Sequence, residues 1–310
     1  DSASQARLLA AQSFASGDLQ PLREALRLFD AAADPQPFVP FLRRAAAVQI
    51  RAGALLDAER TLTQLETFAA QSRRDDGPPS LETKVHAALG IGKLAQAEDT
   101  ARTLVAASVA WGPHLRTHAY RGWCHVVLAR GDWRGLCDLA ADVQRLVTDH
   151  PDTPFCYAVT TTTAFAAVAH ALEGRWAEAQ ALLARAEAPL QAEPFEREAG
   201  LLLAYGTLGR RRDAERLIVE VDSIGIPVPW HFRRMEAVVL TMLESWGPLE
   251  RVLGLLEAAV GGGSQYLEAL VTAIREECDA ARDGPAPRHA ALQKLGYLGW
   301  SQLLSHRPAQ

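Results

Sequence analysis

Seven glycines, Gly17, Gly53, Gly92, Gly131, Gly174, Gly209 and Gly247, recur at intervals of about 35 to 43 residues, and each opens the same apolar cassette. Five places on stand Leu22, Ala58, Ala97, Leu136, Ala179, Ala214 and Val252; nine places on stand Leu26, Leu62, Ala101, Ala140, Leu183, Ile218 and Leu256. Twelve places on come Phe29, Leu65, Leu104, Val143, Ala186, Val221 and Ala259, so these sites form one stripe at helical period. In the position two places on, only Arg211 interrupts an otherwise apolar set that includes Trp133 and Trp176. A unit of this length holds two helices, and the glycine belongs in the turn between them, where φ > 0 costs it little. Prolines such as Pro40, Pro78, Pro113, Pro151 and Pro229 fall at the joints between units, as a residue tolerated only in the first turn of a helix should.

After GGGS (261–264) the stretches QYLEALVTAIREECDAARD and RHAALQKLGYLGWSQLLSHRP read as a closing helical pair without an anchor glycine. A cap with a soluble outer face is expected there. The chain thus reads as one array over residues 1–310, with repeats to about residue 264 and capping helices over about 265–310. The loop RRDDGPPS (73–80) reads as its most flexible joint.

Composition agrees with an all-α chain. Alanine, leucine and arginine dominate its 310 residues, and 22% are charged. No apolar run approaches the length of a membrane span, so no membrane partner is expected. A net charge of −5 argues against direct nucleic-acid binding, which draws on an excess of Lys and Arg. Cys124, Cys137, Cys156 and Cys278 have no C-x-x-C spacing and read as buried apolar residues in a reducing, cytoplasmic setting. The start at Asp1, without methionine, reads as a processed chain or a piece of a longer one.

The cassette resembles the tetratricopeptide repeat, in which a small residue closes the first helix, an aromatic or leucine follows, and an alanine packs at the crossing. Intervals here exceed the usual repeat of about 34 residues. The large aromatic of the first helix appears only in the fourth unit, as Tyr120 and Trp123. Long, degenerate units of this kind resemble the sensor regions of large bacterial transcription activators of the maltose-activator and LuxR type. The resemblance implies a right-handed superhelical solenoid of about seven helical hairpins plus the capping pair. It also implies an inner wall, built from each unit's first helix, that holds a peptide or a small effector.

Positions thirteen, ten and six before each glycine match the inward sites of such a wall. They give Arg7, Arg43, Glu82, His86, His118, Arg121, His125, Thr161, Glu196, Arg234 and Thr241, with Arg51 two before its own glycine. The second to fourth units therefore set Arg43, Arg51, His86, His118, Arg121 and His125 against one acid, Glu82, a basic groove suited to an acidic segment or an anion. His114, His118 and His125 project to nearly one side of a helix, but H-E-x-x-H is absent and one helix rarely supplies three tetrahedral ligands. They read as groove lining, and no metal is expected. GIGK (90–93) reads as a helix joint, TTTT (160–163) as hydroxyls bonded back to their own helix, and GRRRDAER (209–216) as a solvated turn compensated by Asp213 and Glu215. Trp230 and Trp300 are the aromatic residues free to anchor a partner.

No catalytic constellation or cofactor motif is present, so the first expectation is a non-catalytic scaffold that binds a protein or peptide in its concave wall. Self-association belongs to the same expectation. The alternative is the effector-sensing or oligomerisation region of a larger bacterial regulator. A metal-dependent helical hydrolase built on the fourth-unit histidines is the remote third.

Overall fold

In the computed structural model, which describes all residues except 17, 31–38, 73–77, 152–155, 189–194, 261–262, 283 and 309–310, five of the seven predicted turns are helix ends of one design. Seventeen helices and no strand occur among the described residues. The first helix of each pair is α1 (Ser2–Ser16), α3 (Val39–Arg51), α5 (Pro78–Ile91), α7 (Pro113–Arg130), α9 (Tyr157–Leu172), α11 (Glu196–Thr207) and α13 (Trp230–Met242). Each pairs with its successor: α2 (Gln20–Asp30), α4 (Leu55–Ser72), α6 (Leu94–Ser108), α8 (Trp133–Asp149), α10 (Trp176–Ala186), α12 (Arg211–Asp222) and α14 (Trp246–Val260). Three more follow, α15 (Gln265–Ala280), α16 (Ala290–Lys294) and α17 (Leu298–Ser305). None of the described helices is long and apolar enough to cross a membrane.

Gly53, Gly92, Gly131, Gly174 and Gly209 all take positive φ, from 69° to 105°. In each case the next residue donates its N–H to the carbonyl five places back, as Asp132 does to Val127 (3.2 Å) and Arg175 to His170 (2.8 Å). This is the closure that satisfies the orphan carbonyls of a helix C-terminus. Gly17 lies outside the described residues. The stripe behind the glycines is core: Leu22, Ala58, Ala97, Leu136, Ala179, Ala214 and Val252 are all buried.

The seventh hinge departs from the sequence reading. Gly247 sits inside α14, and the left-handed residue is Glu244, φ 53°, with Ser245 donating to Leu240 (2.8 Å) in the same closure. A slip of three residues keeps the apolar stripe on one helical face, since Leu249, Val252, Leu253 and Leu256 are all buried, so spacing alone did not reveal it. Conversely, the closing segment does contain a hinge. Gly296, φ 82°, separates α16 from α17, with Tyr297 donating to Leu292 (2.9 Å).

First helices pack on first helices throughout, α1 on α3, α3 on α5, and so on to α13 on α15. The core is therefore distributed along the chain, in a large cluster running from Leu55 to Leu304 and a smaller one around Ala6, Leu22, Phe41 and Leu65. The closing helices follow on the last hairpin, α15 on α14 and α13, but α15 also packs on α5, and α17 on α7 and α13, so the end of the chain returns to its middle. Tyr266, Tyr297, Trp300, Leu303 and Leu304 are buried there, Tyr297 Oη donates to the Leu89 carbonyl (2.6 Å), and Ser264 Oγ donates to the Gly90 carbonyl (2.5 Å).

Two glycines report on this return. Gly131 and Gly174 share positive φ, 75° and 78°, but only at Gly131 would a Cβ meet neighbours, 3.0 Å from the Gly299 nitrogen and 2.6 Å from Gln302 Oε1. Gly174→Ala should cost about 1 kcal/mol, the strain of a left-handed alanine. Gly131→Ala should cost about 1–3 kcal/mol more, because α17 must move away. Urea unfolding of both variants checks this, and equal losses would mean that α17 does not lie against the hinge.

Candidate functional site

Inward positions of the first helices meet in the interior, with Arg121 of α7 at the centre. Its Nη2 donates to Glu82 Oε1 (2.6 Å), Nε donates to the same oxygen (3.1 Å), and Nη1 donates to Glu196 Oε2 (2.6 Å). The guanidinium also lies over the Tyr157 ring, 4.9 Å from its centroid. One cation thus joins α5, α7 and α11 and meets α9. Burial pushes the Glu82 carboxyl up, but Arg121 and the neighbouring histidines bring it down to about 2. Glu196 likewise falls to about 2 against its burial, through Arg121 and then His231. Arg121 itself is raised against its burial by the same two acids.

Beside this hub lies a cavity of about 160 Å³ walled by Phe14, Ala47, Ile50, Arg51, Thr83, His86, Leu89, His125, Glu196, Trp230, His231 and Arg234. Six different first helices contribute to it, α1, α3, α5, α7, α11 and α13. A wider recess of about 340 Å³ shares the Phe14, Arg51 and Trp230 walls.

Four of the cavity's residues, His125, Trp230, His231 and Arg234, are short of partners. Arg234 is 7% exposed, and among the described residues no carboxylate lies within ion-pair distance of it. Its guanidinium is held by aromatic faces instead, with centroids at 5.0 Å (Trp230), 4.9 Å (Trp300) and 5.6 Å (Tyr266), plus one long bond to Tyr266 Oη (3.4 Å). Arg234 Nε, Trp230 Nε1, His125 Nε2 and His231 Nε2 are buried without a hydrogen-bond partner. His231 Nε2 lies 3.5 Å from Glu196 Oε1 but makes no hydrogen bond to it. Burial and the adjacent arginines push His86 and His231 down to about 4, and His125 well below its ordinary value. At neutral pH these imidazoles are uncharged, each carrying one N–H and one acceptor nitrogen. The cavity combines N–H donors, an unpaired buried cation and an apolar wall, a setting for a small anion with an apolar flank.

On the other side of the hub, α7 approaches the start of α9. His118 Nδ1 lies 3.7 Å from Glu82 Oε2, and its Nε2 lies 3.8 Å from Cys156 Sγ. His114, one turn earlier, has its ring 5.0 Å from that of His118 and a buried, unpartnered Nδ1. One donor atom from each of His114, His118 and Cys156 lies within 4.8 Å of the others. Burial pushes the His118 imidazole down, but its bonds to Cys156 and Glu82 raise it to about 9. Burial pushes the Cys156 thiol up, but His118 and Thr117 bring it down to about 7. Cys156 is therefore no inert apolar residue, unlike buried Cys124 and Cys278, while Cys137 is half-buried and bonded to Arg175 (3.3 Å).

Of the residues the sequence points to, Glu82, His86, His118, Arg121, His125, Glu196 and Arg234 come together, and Arg51 joins the cavity wall. Thr161 is buried and donates to the Glu196 carbonyl (3.2 Å), positioning that acid's helix. Arg43 is exposed and lies off the cavity wall. Thr241 is fully buried and bonded to Ala237 in its own helix (2.8 Å), so it faces no groove. His118 and His125, expected on one side, divide between the cysteine cluster and the cavity. Trp230 and Trp300 are buried, and they clamp Arg234 instead of standing out as surface anchors.

Other motifs largely follow their simpler readings. GIGK supplies the Gly92 hinge, Thr160 and Thr163 bond back to Cys156 (3.4 Å) and Val159 (2.8 Å) while Thr161 crosses to Glu196 and the buried Thr162 Oγ1 does not bond back, and Arg210 and Arg216 are compensated by Asp213. Residues 73–77 of RRDDGPPS lie outside the described residues, while Pro78 opens α5. The chain matches no family model and no curated protein.

Proposed function

We propose that this chain is a non-catalytic effector-sensing module. In this reading it is a right-handed superhelical array of tetratricopeptide-type hairpins whose inner wall encloses a small organic anion, in a reducing cytoplasmic setting within a larger regulator. The buried, carboxylate-free Arg234 carries the reading. Leaving a guanidinium in a low-dielectric interior without an anion is costly, and a carboxylate or phosphate entering the cavity supplies the missing charge. Unpartnered N–H groups of Trp230 and the histidines give such an anion further donors, and Phe14, Ile50 and Leu89 favour one with an apolar flank.

A cavity of about 160 Å³ holds roughly five waters' share of volume, which suits a small molecule better than a peptide segment. Five of the inward residues expected to grip a peptide, Arg51, His86, His125, Glu196 and Arg234, wall this small cavity instead. Because six first helices line the space, a ligand there contacts most of the array at once and biases how the hairpins sit on one another, as a sensor requires.

Calorimetry and thermal unfolding with benzoate, isovalerate, phosphate and sulfate test this. Benzoate or isovalerate should stabilise the wild-type chain, by about 2.7 kcal/mol at a hundredfold excess over its Kd, and should have no such effect on Arg234→Met. If no probe stabilises the wild type more than the variant, the sensing assignment fails.

A further inference from the structure

We propose that His114, His118 and Cys156 form a three-ligand site for a zinc-class divalent cation, with a fourth coordination position left for water or an exogenous ligand. The site is separate from the effector cavity, since none of its three residues lines that space.

Geometry carries the assignment. In a tetrahedral site with Zn–S near 2.3 Å and Zn–N near 2.0–2.1 Å, a sulfur and a nitrogen stand about 3.5 Å apart. Cys156 Sγ and His118 Nε2 are 3.8 Å apart, so a cation between them needs a shift of only a few tenths of an ångström. His114 stands one turn before His118 on α7, and the three donor atoms lie within 4.8 Å of one another. A cysteine–histidine pair alone leaves His114 unexplained, with its buried Nδ1 bonded to nothing. A shared cation gives that imidazole a partner.

The surroundings fit the same reading. A metal-bound histidine ordinarily turns its other ring nitrogen to a carboxylate, which fixes the ring and raises its basicity. His118 Nδ1 faces Glu82 Oε2 at 3.7 Å, and Arg121 holds Glu82 from its other oxygen at 2.6 Å. The ligands come from two elements, α7 and the residue preceding α9, so a cation would tie the fourth hairpin to the fifth. Two imidazoles and a thiolate select zinc or cobalt over magnesium and calcium, which prefer oxygen ligands.

Cobalt(II) titration of the full chain, stripped beforehand with a chelator, tests the site, because only a thiolate ligand gives a sulfur-to-cobalt band in the near ultraviolet. One equivalent of cobalt should develop that band, and zinc should displace it. Cys156→Ser should lose the band, and both Cys156→Ser and His114→Ala should bind at least about tenfold more weakly. Cys137→Ser should titrate as the wild type. Circular dichroism establishes which variants are folded, and His114→Ala, at a partly exposed position, carries the test if Cys156→Ser is not. Absence of the band in the wild type at micromolar cobalt, or wild-type affinity in a folded His114→Ala, overturns the proposal.

Discussion

Arg121→Met is expected to destabilise the chain by about 3–5 kcal/mol, because it leaves Glu82 and Glu196 facing each other's charge in the interior with their shared cation gone. In a chain of this size that amounts to a fall in Tm of very roughly 5–10 °C. Neutralising both acids in the same chain, with Glu82→Gln and Glu196→Gln, should recover about half or more of the loss, since the penalty lies in the orphaned charges and not in the missing contact. Arg234→Met should behave differently. No carboxylate is orphaned, and the loss of the cation–π contacts and of one long bond to Tyr266 is offset by relief of an unpaired buried charge, so its cost should stay at or below about 1–2 kcal/mol. Denaturant unfolding of the two variants side by side checks the contrast. Equal losses would mean that Arg121 is no more of a charge hub than Arg234.

Acid should weaken the fold in two stages, the first beginning well above the range of carboxylates. His86 and His231 have folded-state values near 4, against 6.5 when unfolded, so below pH 6.5 the unfolded chain binds protons that the folded chain refuses. Their contribution is fully present above pH 6.5 and is lost as pH falls toward 4, by about 3 kcal/mol for each histidine. His125 loses stability in the same direction. Glu82 and Glu196, lowered from 4.5 to about 2, add a second loss between those values as their native charge is removed. Thermal unfolding from pH 8 to 4 should therefore show Tm falling from about pH 6.5 downward. A Tm flat to pH 5 would mean that the three imidazoles are not buried in neutral form. An anion seated beside them makes their protonation less costly, so a bound effector should blunt this early loss.

Much of this was legible in the sequence because the hinge demands a particular backbone. A left-handed turn favours glycine, so Gly53, Gly92, Gly131, Gly174 and Gly209 announced themselves, and counting back from them led to Glu82, His86, His118, Arg121, His125 and Glu196. Glu244 hid the seventh hinge by taking the same conformation without being glycine. Counted from Glu244, the thirteenth and tenth places back are His231 and Arg234, both on the cavity wall, while Thr241 drops out. The pairing of His114 with Cys156 was not legible for another reason, although His114 stands out beside His118 and His125 as groove lining. They stand seventeen and eighteen places before Gly131 and Gly174, one turn beyond the window, where the inner face of the fourth and fifth hairpins continues. Folding back of α15 and α17 onto α5 and α7 was not readable at all, because it depends on the summed rotation of every preceding hairpin.

That return of the chain end sets Tyr266 and Trp300 against Arg234, and the seat of the buried cation in the cavity wall rests on it. Small-angle X-ray scattering of the monomeric chain tests it most directly. A closed array of 310 residues should give a radius of gyration of about 19–20 Å with a single, nearly symmetric distance distribution. A radius well above that value, with a distribution tailing to long distances, would mean an open superhelix, and the aromatic seat that holds Arg234 in the cavity wall would go with it.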